Sequence, residues 1–278
     1  MARTPDGPPP PPAVQKLRIR YAKRARLRFA SHRDFQRALE RALRRAQVPM
    51  AYSAGFSPHP KVSYANAAPT GAASEAEYLE ISVVERVDPD TLRTALDDAL
   101  PAGLDVVEVV EAGPGALADR LTGGWWELVL PGVAPDVAEA GVAALLARDS
   151  VEVQRLTKNG RRTLDARSAV VRLGVVEPAA AASDLGRAAV ASGRVCAILH
   201  LVVRHATPAV RPDDVLTALS AVADLAPESP PQVTRLAQGP LDAEDGTVAD
   251  PLAGDRTPPA SEPTRAPTET AGSANAGT

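Results

Sequence analysis

Residues 53–64 read SAGFSPHPKVSY, a stretch in which Pro58 and Pro60 bracket His59 and Lys61 follows at once. The two prolines bias Ser57 and His59 toward extended backbone, and Gly55 permits a turn through positive φ. The imidazole and the ammonium are therefore presented to solvent, where they can grip a phosphate. With His32 as a partner, His59 can also serve as general acid in RNA cleavage that needs no metal. Binding and cleavage draw on the same residues, so both stay open at this point and no catalytic residue is assigned.

Upstream lie groups that would bring a phosphate to this loop. Arg18, Arg20, Arg26 and Arg28 alternate with Leu17, Ile19, Leu27 and Phe29, the period-two pattern of a hairpin or of one long bent strand. The apolar set is expected to face helices and the four guanidiniums to share the open face. Arg33, Arg37, Arg41 and Arg45 then recur every four residues, one slowly turning stripe on a helix, with Arg44 beside it. Glu40 can pair with Arg44 but does not relieve that row. A nucleic-acid backbone would neutralise such a surface and release counterions; carboxylates from elsewhere in the chain would quench it internally. The candidate nucleic-acid-binding set is Arg18, Arg20, Arg26, Arg28, Arg37, Arg41, Arg44, Arg45, His59 and Lys61.

The charge balance isolates this region. The 278 residues carry a net charge of −3, yet Lys16 to Ala46 hold twelve Lys or Arg against Asp34 and Glu40. From Gln47 to Ala112 three basic residues face eleven acidic ones. Lysine occurs only at positions 16, 23, 61 and 158, so 27 of the 31 basic residues are arginine, the side chain suited to bidentate phosphate contacts; GC-rich coding produces the same bias. A single cysteine, Cys196, excludes an intrachain disulfide and a CxxC metal site, and its apolar run CAILHLVV reads as core. P-loop, GxGxxG, HExxH and GxSxG motifs are absent from the sequence, and His200 and His205 read as structural, so neither cofactor nor metal is expected. With no signal-peptide pattern and no apolar run near membrane-spanning length, a soluble cytoplasmic protein is expected, with no membrane partner.

The elements that must position these residues follow from periodicity. Residues 1–15 form a proline-rich lead and 243–278 a tail poor in large apolar residues, both expected to be disordered. Between them, residues 16–113 read β, then a helix capped by Ser31 with Asp34 three residues on, then two strands, a helix opening at Asp88-Pro89, and a strand. Residues 124–242 repeat that order around an inserted excursion with an Asn159-Gly160 hairpin turn. VDPDTLRTAL (87–96) and VRPDDVLTAL (210–219) align without gaps; duplication explains this, and so does the ordinary liking of helix starts for Pro and acids. The expectation is an α+β protein of two ferredoxin-like βαββαβ units in tandem, the first with a basic face. Trp125 and Trp126 are adjacent on a strand, one inward and one outward, the outward one for an interdomain contact or a base. Lys158, Arg161 and Arg162 crown the hairpin as a solvated turn or a backbone clamp.

The run SHRDFQRALERALRRAQVPMAYSAGFSPHPKVSYANAAPTGAASEAEYLEI resembles a bacterial family of radical-SAM-linked proteins, a domain of unknown function. The matching positions are Ser31, His32, Arg37, Ala38, Arg41, Ala42, Arg44, Arg45, Tyr52, Ser53, Gly55, Phe56, Pro58, His59, Pro60, Lys61, Gly71, Glu75, Glu77 and Tyr78. The resemblance is specific over 17–85 and looser to about 240. It implies an accessory protein, alone or fused behind a radical-SAM enzyme, with RNA or RNA-processing machinery and a radical-SAM enzyme as partners. The chain lacks a CxxxCxxC motif and cannot supply radical-SAM chemistry itself. Three functions stand after sequence reading: RNA-binding accessory protein, metal-independent ribonuclease, and docking module for a radical-SAM enzyme.

Overall fold

A computed structural model describes residues 10–157 and 160–256. Its elements run β1 (Gln15–Lys23), α1 (His32–Arg45), β2 (Val62–Ala65), β3 (Ala73–Val83), α2 (Pro89–Ala99), β4 (Leu104–Glu111), α3 (Leu117–Arg120), β5 (Gly123–Pro131), α4 (Pro135–Leu146), β6 (Glu152–Thr157), β7 (Gly160–Asp165), β8 (Val170–Val175), α5 (Asp184–Ala191), β9 (Cys196–Arg204), α6 (Pro212–Ala223) and β10 (Gln232–Gly239). The protein is α+β: among the described residues, six helices accompany one large, mostly antiparallel sheet. Its path is β4-β1-β3-β10-β5-β9-β8, with β2 pairing β3.

The sheet has an internal repeat. The first half pairs in the order β4-β1-β3-β2 and the second in the order β10-β5-β9-β8, every one of these pairings antiparallel. The halves join where β3 meets β10 in parallel over Thr234↔Ala73 and Arg235↔Ser74. The matching decapeptides fall at equivalent places, at the starts of α2 and α6, each with Pro in its first turn. The β6–β7 hairpin forms its own two-stranded sheet; Arg161 and Arg162 are exposed on it, and Lys158 lies outside the described residues.

Alternation on β1 buries Leu17, Ile19 and Tyr21 against Phe35, Leu39 and Leu43 of α1 and Leu92 and Leu96 of α2. Tyr21 and Phe35 stack with centroids 4.3 Å apart, fixing helix on sheet. The expected strand through Leu27 and Phe29 does not form. Ala25 takes φ 47, and residues Ala25–Phe29 coil into a 3-10 turn that leaves Phe29 59% exposed. Arg24 holds this departure in place: its backbone N–H donates to Gly103 O and its guanidinium pairs with Glu75 and Asp105. Pairing thus ends at Lys23, whatever the alternation beyond it suggests.

The second correction concerns the sheet's back. Residues 112–122 and 240–256 cross the face that was expected to lie open. Leu117, Leu121 and Leu252 pack there with Tyr78 and Val110. The segment from 243, expected as disordered tail, therefore carries ordered, buried positions as far as Asp255; 257–278 lie outside the described residues, as do 1–9 of the expected lead. Gln15 at the end of that lead is buried, donating to Val87 O and accepting from Val87 N. In the second half, the Ala-rich stretch ahead of β9 contains α5, and no helix of the described chain is long and apolar enough to cross a membrane.

Candidate functional site

The arginines of the sequence divide by location. Arg18 is fully buried. Its Nε donates to Glu80 at 3.0 Å, its Nη1 to both carboxylate oxygens of Asp255 at 2.9 and 2.8 Å, and its Nη2 to Gly115 O at 2.5 Å. Asp255 also accepts from Arg120 Nη1 at 2.8 Å and from Gly113 N at 3.0 Å. Burial works against the charge on Arg18, but Asp255 and Glu80 outweigh it and raise its pKa; burial likewise opposes the Asp255 carboxylate, and its donors hold its pKa below the ordinary range. Removing one member of such a set strands a desolvated charge, at a cost of about 3–5 kcal/mol. Arg20 is half-buried, donating Nε to Glu75 O at 2.9 Å. Of the four arginines expected on the sheet face, Arg18 is thus quenched from within by carboxylates, and Arg20 is held by a backbone carbonyl.

The helix half is not. Ser31 caps α1 through the expected capping box, its Oγ accepting from Asp34 N and Asp34 accepting from Ser31 N. Those hydrogen bonds, with Arg37 and Arg33 nearby, lower the Asp34 pKa. From that start the apolar stripe Phe35, Ala38, Leu39, Ala42 and Leu43 turns inward. At 3.6 residues per turn, Arg33, Arg37, Arg41, Arg44 and Arg45 span an arc of roughly 120° opposite it. All five are exposed, and among the described residues none forms an ion pair. The Glu40–Arg44 pair open to the sequence does not form. Arg26 is exposed and Arg28 half-exposed, with its guanidinium 4.6 Å from the Phe29 ring centroid.

The proline loop is held by its base. Ser53 N donates to His59 O at 2.9 Å, Lys61 N to Ala51 O at 2.8 Å, and His59 N to Ser53 Oγ at 3.0 Å. Gly55 takes the expected positive φ, at 131. His59 and Lys61 are both exposed, but they look onto different grooves. His59 lines a cleft of about 210 Å³ with Glu40, Arg44 and Tyr52, so the loop and the helix row meet there. Lys61 lines a groove with Lys16 and Glu80. His32 sits edge-on against Tyr64, centroids 4.8 Å apart, and is not among the residues lining the His59 cleft. Tyr64 is half-buried and its pKa is pushed up to about 12 by burial and by Glu40.

The other singled-out residues pack or pair within the fold. Trp126 is buried beneath the Arg235 guanidinium, 4.5 Å from the ring, and Arg235 pairs with Glu77 at 2.9 Å across the seam of the two halves. Trp125 packs edge-on against His200 at 5.2 Å, whose Nε2 lies 3.3 Å from the buried Glu127. Glu127 also accepts from Ala182 N, Ser183 N and Ser183 Oγ, which pins the start of α5; burial disfavours its charge, yet these donors lower its pKa. His205 Nδ1 lies 2.8 Å from Leu121 O, and burial lowers its pKa. Cys196 is half-buried and free. Sequence reading missed Phe29 as a surface residue and Asp255 as a partner; no local pattern announces either.

Residues 16–212 match the model of a family described as "Uncharacterized protein conserved in bacteria", DUF2344. No curated protein matches the chain significantly. Among solved structures, the encapsulated DyP-type peroxidase from Mycobacterium smegmatis aligns at 11% identity over 84% of this chain and 94% of that one, with a TM-score of 0.18. At that score the likeness carries no argument about fold or activity.

Proposed function

The chain belongs to that family of uncharacterized bacterial proteins, and from that premise we propose that it binds RNA through the exposed face of α1. The observation that carries the reading is the row Arg33, Arg37, Arg41, Arg44 and Arg45, solvent-facing and without an ion pair among the described residues. A phosphate chain supplies the missing counter-charges, and His59, at the end of the row, adds a donor beside Arg44. Arg26 and Arg28 extend the surface beyond the N-terminus of α1. Binding without cleavage is the form favoured here, because His32 rests on Tyr64 and does not line the cleft of His59. In the same reading the protein is an intracellular accessory to a radical-SAM enzyme or to RNA-processing machinery, and its two equal strand orders are two ferredoxin-like units.

Anisotropy of a labelled single-stranded RNA, titrated at several salt concentrations, tests this. Affinity should fall with salt at a logarithmic slope of about −0.7 for each phosphate contacted. An affinity too weak to measure at low salt, or one unchanged when α1 arginines are replaced, would sink the reading. Binding to an acidic protein surface instead of RNA would mark a docking module.

A further inference from the structure

A second feature sits at the N-terminal end of the basic row. The 3-10 turn before α1 sets Phe29 at the mouth of a cleft between the two halves, about 290 Å³ in volume and lined also by Arg28, Thr70, Asp213, Gln232 and four prolines. That is just below the roughly 300–1,000 Å³ of small-molecule sites, room for one flat group. An exposed phenyl ring is costly to leave in water. Here Arg28 lies over the ring, and Gly71 N donates to Arg28 O at 2.8 Å, tying the turn to the neighbouring loop that lines the same cleft. The prolines make the walls stiff, so the cleft is shaped in advance.

The polar group in the cleft is the more telling one. Asp213 and Asp214 both stand in the first turn of α6. Asp214 is buried and fully used: it accepts from Arg155 Nη1 at 2.8 Å and from Arg211 N at 2.7 Å. Asp213 has no such role, and among the described residues its carboxylate has neither a hydrogen bond nor an ion pair; only its backbone oxygen is engaged, by Thr217 Oγ1. A carboxylate accepts two N–H donors side by side. Of the four RNA bases, only guanine presents two neighbouring donors on its pairing edge, N1–H and the N2 amino group. Uracil would set its carbonyl oxygens against the carboxylate, and adenine and cytosine each offer only one amino group. Stacking on an aromatic ring together with reading of the pairing edge is how proteins hold unpaired bases.

We propose that this cleft takes one guanine of a single-stranded RNA, with Phe29 stacking on the base, Asp213 reading N1–H and N2–H, and the flanking phosphates running onto Arg28 and Arg33. The inference rests on the RNA-binding reading of α1 and adds a base preference to it. Its test measures anisotropy of labelled U-hexamers with and without one G, A or C, using the full chain, Phe29→Ala, Asp213→Asn and a triple Arg33/Arg37/Arg41→Gln variant. One G should tighten binding about tenfold over the all-U hexamer. Phe29→Ala should weaken binding of the G-containing hexamer by about tenfold or more, the range seen when a stacking aromatic is removed. Asp213→Asn should abolish the G preference. Equal affinity for all four hexamers, or a G preference that survives Asp213→Asn, overturns the guanine site while binding that still depends on the α1 arginines leaves the broader reading intact. Failure of the full chain to bind any hexamer overturns both.

Discussion

Arg18 and Arg37 look alike in sequence, each one of a row of regularly spaced arginines, and they end in opposite circumstances. Arg18 is desolvated and held by Glu80 and Asp255; Arg37 stands in water without an ion pair among the described residues. Periodicity places a side chain on a face, but it does not say what will cover that face. The back of β1 is covered by chain that arrives from beyond β4 and beyond β10, the latter bringing Asp255 with it. Among the described residues nothing comparable comes over α1, whose inner face packs on the sheet. The same residue type therefore serves cohesion in one place and stands in solvent in the other.

The comparison breaks if the two arginines respond alike to removal. Arg18→Ala should cost about 3–5 kcal/mol in urea unfolding, since it leaves Asp255 and Glu80 buried without their partner, whereas Arg37→Ala should stay within about 0.5 kcal/mol. Equal losses would mean that the helix row is also structural. Asp255→Asn should come next, at about 2 kcal/mol for weakened charge-assisted bonds. Its pH behaviour has a definite sign: the folded-state pKa is lowered, burial being outweighed by Arg18 and Arg120. The stabilisation is therefore complete above the unfolded value of about 3.9 and is lost as pH falls through the lower folded value. Hydrogen exchange in 250–256 should quicken across that window in the wild type and not in the Asn variant. The smallest effect on stability, and the sharpest on function, belongs to Arg33/Arg37/Arg41→Gln. Melting should hardly move, while the logarithmic salt slope for single-stranded RNA loses about 2, close to 0.7 for each arginine.

Much of this was legible beforehand. The capping box of α1, the alternation of β1, the Pro-Asp starts of α2 and α6 and the order of most strands are local patterns, and local patterns are what a sequence exposes. The misplaced parts are those decided at a distance. Leu27 and Phe29 continue the alternation, but Arg24 is claimed by Glu75 and Asp105, and the strand stops. Residues 243–256 are poor in apolar groups, yet Leu252 and Asp255 are enough to hold them because the sheet offers a matching apolar patch and a guanidinium pair. Among the candidate binding residues, those on α1 and His59 are exposed as the spacing suggested; Arg18 and Arg20 lie on the expected face of β1 but under cover, and Arg26 and Arg28 leave the strand for the 3-10 turn. Asp213 carried no signal apart from its place in a common helix start.

The Arg18–Asp255 pair joins residues 237 positions apart, and that distance has a meaning in time. A ribosome extends a chain by about 5–20 residues per second, so β1 and its neighbours are made some ten seconds to most of a minute before their last anionic partner emerges. Until then the nascent first half holds a guanidinium whose final counter-ion has not been synthesised. A chain interrupted before residue 255 should accordingly be a ready client for chaperones and proteases, even with every strand of its sheet already translated.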